Sequence, residues 1–470
     1  MKLNKNGFII IKNEYSLEDI KQIKEELTVK PFVGNDFGNK VEIKFKVYLE
    51  SPKKLYLPRF YGQERFGIPE NIDLSGEPIN IKFKGDLRNE QLNIYKDCMN
   101  SLKNTGGGIL SLKCGGGKTI LALYILCQLK FKTIVVVHKD FLMTQWYDRI
   151  KEFIPEARIG KIQQNTIDTE DKDIVLAMVQ SLSKKEYSED TFKDFGLAIF
   201  DECHHLGAEV FHKCMSKVQS KYMFGLSATP NRKDGCRKVF EWFIGSTAYV
   251  SKDVNTDFVK VDILKYKVND PDYCRIETAY RGKPCCPRMI NNICNFKHRT
   301  NLIIVKIKEY YNEGRDILYL SDRRQNLTDI HGLLKQENID CGFYVGGMKP
   351  EQLRESQKQK IILGTFSMAS EGMDIPKLNT IILGSPKSDI VQSVGRILRQ
   401  TKESRKFHPL IFDINDEFSI FSNQSIKRLK FYRKQNYDID IFDLDGNFKK
   451  DTKNTKNTKD TKDKLDLNVC

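Results

Sequence analysis

No stretch of the 470-residue chain approaches the run of about 20 apolar residues that a membrane span needs. The N-terminus Met1-Lys2-Leu3-Asn4-Lys5-Asn6 is basic, but Lys12, Asn13 and Glu14 interrupt the apolar residues after it, so no secretory leader is expected. Zinc-type cysteine pairing is also missing. Cys274, Cys285, Cys286, Cys294 and His298 cluster, yet they lack the short paired spacings a zinc site prefers. Twelve cysteines in all suit small buried hydrophobes in a reducing compartment, so a cytoplasmic or nuclear location is expected. Acidic residues are in short supply, 62 against 77 basic, leaving a formal charge of +15 and a pI near 9.0. That excess favours polyanionic partners through counterion release, although a lysine-rich background composition would give the same balance. With 40% hydrophobic and 30% charged residues, the chain reads as folded, and its length points to about three domains.

Residues 1–86 alternate charged and apolar positions, as in Val41-Glu42-Ile43-Lys44-Phe45-Lys46-Val47-Tyr48, the period-two signature of half-buried strands. They are expected to form a small β-rich accessory domain. Its run Lys53-Lys54-Leu55-Tyr56-Leu57-Pro58-Arg59-Phe60-Tyr61 mixes basic and aromatic side chains. Such a run can stack bases and neutralise phosphates, or it can be an edge strand with a solvated face. From Leu87 on, short branched runs alternate with helical patterns: Thr133 to Val137, Asp173 to Ala177, Leu197 to Phe200 and Tyr222 to Leu226. Runs that are apolar on both faces imply a parallel sheet covered by helices, the doubly wound α/β arrangement. This first lobe is expected over 87–268, with a connection over 269–298. A second alternation over 299–442 has helical Asn301 to Tyr311 and Arg324 to Gln336 among strands at Asp316 to Leu320, Gly342 to Val345, Lys360 to Leu363, Thr380 to Leu383 and Phe407 to Phe412. Residues 443–470 collapse into a polar Thr-Lys-Asn repeat that cannot bury a core, and a disordered tail is expected there.

The chain is organised around Cys114-Gly115-Gly116-Gly117-Lys118-Thr119, which lies between the apolar run Gly108 to Leu112 and the helix-like segment Ile120 to Leu129. A strand, a glycine turn and a helix N-terminus together make a cradle for a phosphate chain. Lys118 would reach the β- and γ-phosphates, and the Thr119 hydroxyl would hold magnesium. The strict pattern has glycine five residues before Gly117, and here Leu112 stands in that place. After the strand Leu197 to Phe200 comes Asp201-Glu202-Cys203-His204-His205. An acid at the end of a buried strand downstream of a P-loop is where nucleotide hydrolases put a second magnesium anchor, here Asp201. Glu202 would polarise the attacking water, and His204 would pass a hydrogen bond to its neighbours.

These residues resemble the superfamily 2 helicases, whose motif II reads Asp-Glu-x-His. The other motifs follow in the family's order. Leu87-Arg88-Asn89-Glu90-Gln91 is similar to the stretch in which such helicases read adenine, with Arg88 and Gln91 in that role. Thr133 to Trp146 is similar to motif Ia, and Ser227-Ala228-Thr229 to motif III, which links hydrolysis to the nucleic-acid track. Gly364 to Pro376, with Thr365, Gly372 and Asp374, resembles motif V. Gln392-Ser393-Val394-Gly395-Arg396-Ile397-Leu398-Arg399 resembles motif VI. Ala228 to Gly235 resembles the XPB and UvsW-like branch, and Leu55 to Gly62 resembles helicases of large DNA viruses of the poxvirus transcript-release type.

The resemblance implies two tandem RecA-like lobes, ATP and Mg2+ as cofactors, and an ATP-driven helicase or translocase. Gln392 would help bind the nucleotide. Arg396 and Arg399, three apart on one helix face, would point into a cleft between the lobes and act as arginine fingers. Lys139, Gln180, Ser181 and Thr365 would hold the nucleic-acid backbone, while His204, Ser227, Thr229, Gly372 and Asp374 couple the two sites. DNA is the favoured substrate and RNA the other; the transcription machinery is a candidate partner, the chain is expected to be a monomer, and a viral origin would add the virion to its locations. The rivals are a translocase without net unwinding, which releases transcripts or anneals strands, and a nucleotide-gated scaffold that no longer hydrolyses. A restriction-enzyme motor would need a nuclease domain, for which only the small N-terminal segment is left over.

Overall fold

The computed structural model describes residues 1–30, 44–112, 116–202, 208–228, 237–251, 258–279, 282, 284–371, 373, 375–400 and 404–451. The chain divides into two compact units, Met1–Lys252 and Asp253–Cys470. No helix among the described residues is long and apolar enough to cross a membrane.

The first unit opens with a β-rich module. Its strands are β1 (Lys2–Asn4), β2 (Gly7–Ile11), β3 (Thr28–Val29), β4 (Phe45–Lys46), β5 (Leu49–Glu50), β6 (Lys54–Leu57) and β7 (Asn71–Ile72). Five pair in the order β5-β6-β2-β1-β7, and β3 pairs with β4. Two helices accompany them, α1 (Leu17–Glu26) and α2 (Arg59–Phe66). Ser16 starts α1: its Oγ accepts from Asp19 N at 3.0 Å, and its own N–H donates to Asp19 Oδ2. The basic, aromatic run after Lys53 is therefore a strand that breaks at Pro58 into α2. Arg59 leaves that helix buried, its guanidinium donating to the carbonyls of Ser220, Lys221 and Thr105 at 3.2, 2.9 and 3.1 Å. Tyr61 meets the Trp242 ring edge-on at 5.5 Å. The run thus fastens the module to the rest of the unit.

The remainder of the unit is an α/β lobe. Its strands are β8 (Gly107–Ser111), β9 (Thr133–Val137), β10 (Ile159–Gln163), β11 (Thr166–Ile167), β12 (Ile174–Met178), β13 (Leu197–Phe200), β14 (Tyr222–Ser227) and β15 (Thr247–Val250). They lie in the order β11-β10-β12-β9-β13-β14-β8-β15, parallel except for the β10–β11 hairpin. Helices α3 (Asn89–Thr105), α4 (Lys118–Leu129), α5 (Asp140–Phe153), α6 (Val179–Lys184), α7 (Ala208–Met215) and α8 (Arg237–Ile244) connect them. Strands β9 and β13 are buried throughout, so helices cover both faces. Because the strands run parallel, the loops after β8, β9, β12, β13 and β14 all emerge at one edge, where open α/β sheets bind ligands.

The second unit is another such lobe. Its strands are β16 (Lys260–Tyr266), β17 (Ile317–Leu320), β18 (Cys341–Tyr344), β19 (Ile361–Gly364), β20 (Thr380–Leu383), β21 (Leu410–Asp416), β22 (Asp438–Asp443) and β23 (Phe448–Lys450), in the order β18-β19-β17-β20-β21-β16-β22-β23. Only β22 and β23 are antiparallel. Its helices are α9 (Pro271–Cys274), α10 (Cys286–Asn295), α11 (Lys297–Asn312), α12 (Arg324–Gln336), α13 (Pro350–Lys358), α14 (Phe366–Glu371), α15 (Val391–Val394) and α16 (Ser419–Lys434).

The fold is thus two tandem RecA-like lobes with a β-rich N-terminal module, as the sequence implied; the divisions fall elsewhere. β16, expected in the first lobe, pairs with β21 and β22 in the second sheet. The stretch read as a connection holds α10, whose Met289, Ile290, Ile293 and Cys294 are buried in the second core at helical spacing. Past residue 442, where a disordered tail was expected to start, β23 closes a hairpin on β22; residues 452–470 lie outside the described residues. Among the described residues no group of three or more His, Cys, Asp and Glu could hold a metal ion.

Candidate nucleotide site and nucleic-acid track

The β8 strand leads to Gly117, which stands at φ 81° in the left-handed region and starts α4 at Lys118. Lys118 Nζ donates to the carbonyl of Leu112 at 3.2 Å and lies 3.5 Å from Glu202 Oε1, with both side chains largely buried. Thr119, half-buried, follows in the first turn of α4. On the other side of Gly117 is Gln91, buried in the first turn of α3, where its Oε1 accepts from Arg88 N at 3.1 Å. A Cβ added at Gly117 would overlap Gln91 Nε2. Glycine here serves both the positive φ and the close approach.

Asp201 and Glu202 follow β13 directly, and Glu202 takes a positive φ of 47°. Asp201 is buried, its N–H donates to Val136 O at 3.0 Å, and its Oδ2 accepts from Trp146 Nε1 at 2.8 Å. Burial pushes the Asp201 carboxyl up to about 6, and the neighbouring Glu202 charge pushes the same way, while the Trp146 bond and Lys118 oppose them. Two adjacent carboxylates beside one lysine, with Asp201 buried, form an acidic set of the kind that suits a hard divalent cation. Ser227 ends β14, buried, and its carbonyl accepts from Leu112 N at 3.1 Å, so the ladder between β14 and β8 continues to the residue after β8.

Next along the same edge are the track candidates. Lys139 caps α5 and lies 5.9 Å from the Phe141 ring centroid. Gln180 Nε2 donates to His138 O at 2.8 Å. Ser181 is buried and its Oγ accepts from Gln164 N at 2.9 Å, which braces the β10–β11 hairpin. The first unit therefore gathers Arg88, Gln91, Gly116, Gly117, Lys118, Thr119, Asp201, Glu202, Ser227, Lys139, Gln180 and Ser181 around one sheet edge. Cys114, Gly115, His204 and Thr229 lie outside the described residues.

In the second unit Thr365 follows β19, and its Oγ1 accepts from Met368 N at 3.4 Å. Gln392 is on α15, and a 3-10 turn Gly395–Leu398 continues that helix. Arg396 lies within that turn and Arg399 directly follows it. Arg396 is buried, donating from Nε to Ala369 O and from Nη1 to Met373 O at 2.8 Å, so motif VI is latched to motif V. Gly372 and Asp374 are outside the described residues.

Sequence reasoning missed the scaffold beneath motif VI. Arg299 makes two bonds to Asp416, at 2.8 and 3.0 Å, and one to Gly384 O at 2.6 Å. Arg428 bonds Asp413 at 2.8 Å and Lys387 O at 2.7 Å. The two buried pairs grip the loop that leaves β20 for α15. A signal was present: Asp413 and Asp416 interrupt the apolar β21, and a buried acid requires a partner.

Two RecA-like lobes, the first with Lys118 facing paired acids at its strand ends, define a nucleoside triphosphatase of the tandem-lobe type. The comparisons with known proteins specify it further. Residues 84–232 match the model for the type III restriction enzyme res subunit, and 300–401 match the helicase conserved C-terminal domain. The chain is 37% identical over 463 residues to a "Putative ATP-dependent RNA helicase" of Acanthamoeba polyphaga mimivirus, covering 96% of this chain and 88% of that protein. It is 27% identical over 356 residues to a protein of the same description from African swine fever virus, covering 70% and 69%. Among solved structures, that of T4 UvsW aligns at a TM-score of 0.38 and 19% identity, over 91% of this chain and 96% of that one. The chain belongs to the superfamily 2 helicases, in the group found in large DNA viruses, and is an ATP-dependent enzyme that acts on nucleic acid.

Proposed function

We propose that the chain is a motor that moves along one nucleic-acid strand by hydrolysing ATP at the β8 and β13 strand ends. In this reading Gln91 and Arg88 hold the adenine, and residues 114–117 cradle the phosphates. Lys118, paired with Glu202 here, turns to the β- and γ-phosphates when ATP enters. That exchange would free Glu202 to take a proton from the attacking water. Thr119 and Asp201 would hold Mg2+, which supplies charge neutralisation between the phosphates. Gln392 would add a contact to the nucleotide, and Arg396 and Arg399 would stabilise charge developing on the γ-phosphate. The 3.5 Å approach of Lys118 to Glu202 next to buried Asp201 is the observation that carries the reading.

Lys139, Gln180, Ser181 and Thr365 would grip phosphates, so sequence preference is weak and salt dependence strong. The coupling residues would be His204, Ser227, Thr229, Gly372 and Asp374. DNA is favoured through the resemblance to the XPB and UvsW-like branch, while the mimivirus and African swine fever virus relatives are described as RNA helicases. The deciding experiment titrates ATPase rate with single-stranded DNA, duplex DNA and RNA of matched length at two salt concentrations. No stimulation by any of them would refute the motor; strand displacement beside triplex displacement then separates unwinding from plain translocation. As a monomer in cytoplasm, nucleus or virion, working beside the transcription machinery, the motor would meet either substrate.

A further inference from the structure

Trp146 is one of two tryptophans in the chain and, at 1% exposure, among its most deeply buried large side chains. Its indole N–H has no acceptor capacity and only one direction in which to donate, and that direction ends on Asp201 Oδ2 at 2.8 Å. The ring cannot swing away, because it is packed in the same core as Leu142, Met143 and Ile150 of its own helix. One oxygen of the Asp201 carboxylate is thereby fixed in place, and so is the direction in which the other faces.

The far end of the same rigid element carries the track. Helix α5 begins at Asp140, directly after Lys139, and β9 runs into that junction. β9 also holds Asp201 through the backbone, Val136 O accepting from Asp201 N at 3.0 Å. α6 joins the junction through the bond from Gln180 to His138 O at 2.8 Å. Asp201 is therefore gripped twice by the β9–α5 element, once through a strand ladder and once through an indole. The junction of that element is where Lys139 and Gln180 meet.

We infer that Trp146 is a positioning residue that sets the Asp201 carboxylate for a divalent cation and makes its setting respond to a strand bound at Lys139 and Gln180. A load on the β9–α5 junction passes along a helix and arrives as a change in one directional hydrogen bond. Only the two bend residues His138 and Lys139 separate the strand from the helix. The inference rests on the proposed roles of Asp201 in holding the cation and of Lys139 and Gln180 on the track. It adds a residue that touches neither ATP nor nucleic acid.

The test uses the full chain and Trp146→Phe, which keeps an aromatic ring and removes the N–H. Mn2+ is titrated into each protein with a non-hydrolysable ATP analogue, and free Mn2+ is counted by electron paramagnetic resonance, with and without single-stranded DNA or RNA. Loss of the bond should weaken Mn2+ binding about tenfold, the lower end of what such supporting partners contribute to metal sites. Nucleic acid should shift Mn2+ affinity in the wild type and leave the variant unmoved, and W146H, which retains a ring N–H, should recover part of the lost affinity. If W146F does not fold, W146M, which also carries no donor, takes its place. Equal Mn2+ affinity in a folded donor-less variant and the wild type would overturn the inference. A wild type that binds Mn2+ but ignores both nucleic acids would count against the motor reading and the responsive half of the inference, while the titration without nucleic acid still decides the positioning half.

Discussion

The side chain of Gln91 fills the space that a β-carbon on Gly117 would need, so the element assigned to adenine and the phosphate turn are in contact before any nucleotide enters. Gly117→Ala therefore meets two obstacles, a left-handed backbone and an occupied volume. Holding alanine at that φ costs on the order of 1–3 kcal/mol. The expected outcome is loss of binding for a fluorescent ATP analogue with little change in the melting of the second unit. Adding Gln91→Ala removes the overlap but leaves the backbone strain and takes away the contact proposed for adenine, so the double variant should bind the analogue no better than Gly117→Ala.

Lys118 and Glu202 separate into two kinds of defect. Lys118→Ala removes the charge proposed to meet the phosphates, so both ATP affinity and turnover should fall. Glu202→Gln keeps the shape and loses the base, so turnover should fall by about 10²–10⁴ while the ATP analogue still binds. Analogue titration next to steady-state ATPase distinguishes them. Equal loss of binding in both variants would mean that the pair is only a structural bridge.

The motif VI arginines differ in burial, which predicts unequal consequences. Arg396 is latched to Ala369 O and Met373 O, so Arg396→Ala should lower the melting temperature of the second unit as well as turnover. Leaving buried carbonyls unbonded costs about 1–3 kcal/mol for each group. Arg399 is half-buried, and Arg399→Ala should lower turnover with little effect on melting. If Arg399 acts on the γ-phosphate, the fall is on the order of three to five powers of ten. Calorimetry beside ATPase rates checks both.

Much of this was readable from the chain because the P-loop, Asp201 and motif VI are local patterns, and β9 and β13 are short branched runs between polar turns. What was not readable depended on distant partners. Arg299 finds Asp416 across 117 residues, and without that partner it reads as surface charge. Arg59 sits in a run that looks like an edge strand or a base-stacking strip, and only Thr105, Ser220 and Lys221 reveal it as an anchor. Trp146 stood inside a recognised motif, yet its role depends on the side chain it meets at the end of another strand. β16 was placed in the wrong lobe because a period-two strand does not say which sheet it will join.

The pair Arg428 and Asp413 separates stability from function in the second lobe. Both side chains are almost fully buried, and Tyr432 OH also donates to Asp413 Oδ2 at 2.8 Å. Arg428→Met should destabilise the second unit by about 3–5 kcal/mol, because it leaves a buried carboxylate without its cation. Adding Asp413→Leu should restore part of that loss, since the carboxylate left without its cation is gone while the buried Tyr432 hydroxyl loses its acceptor. The double variant still lacks the bond from Arg428 Nη1 to Lys387 O, which steadies the segment leading to Gln392 and Arg396. Denaturant melts should therefore show recovery while ATPase remains below the wild type. Full recovery of both would mean that the grip on Lys387 contributes nothing to catalysis.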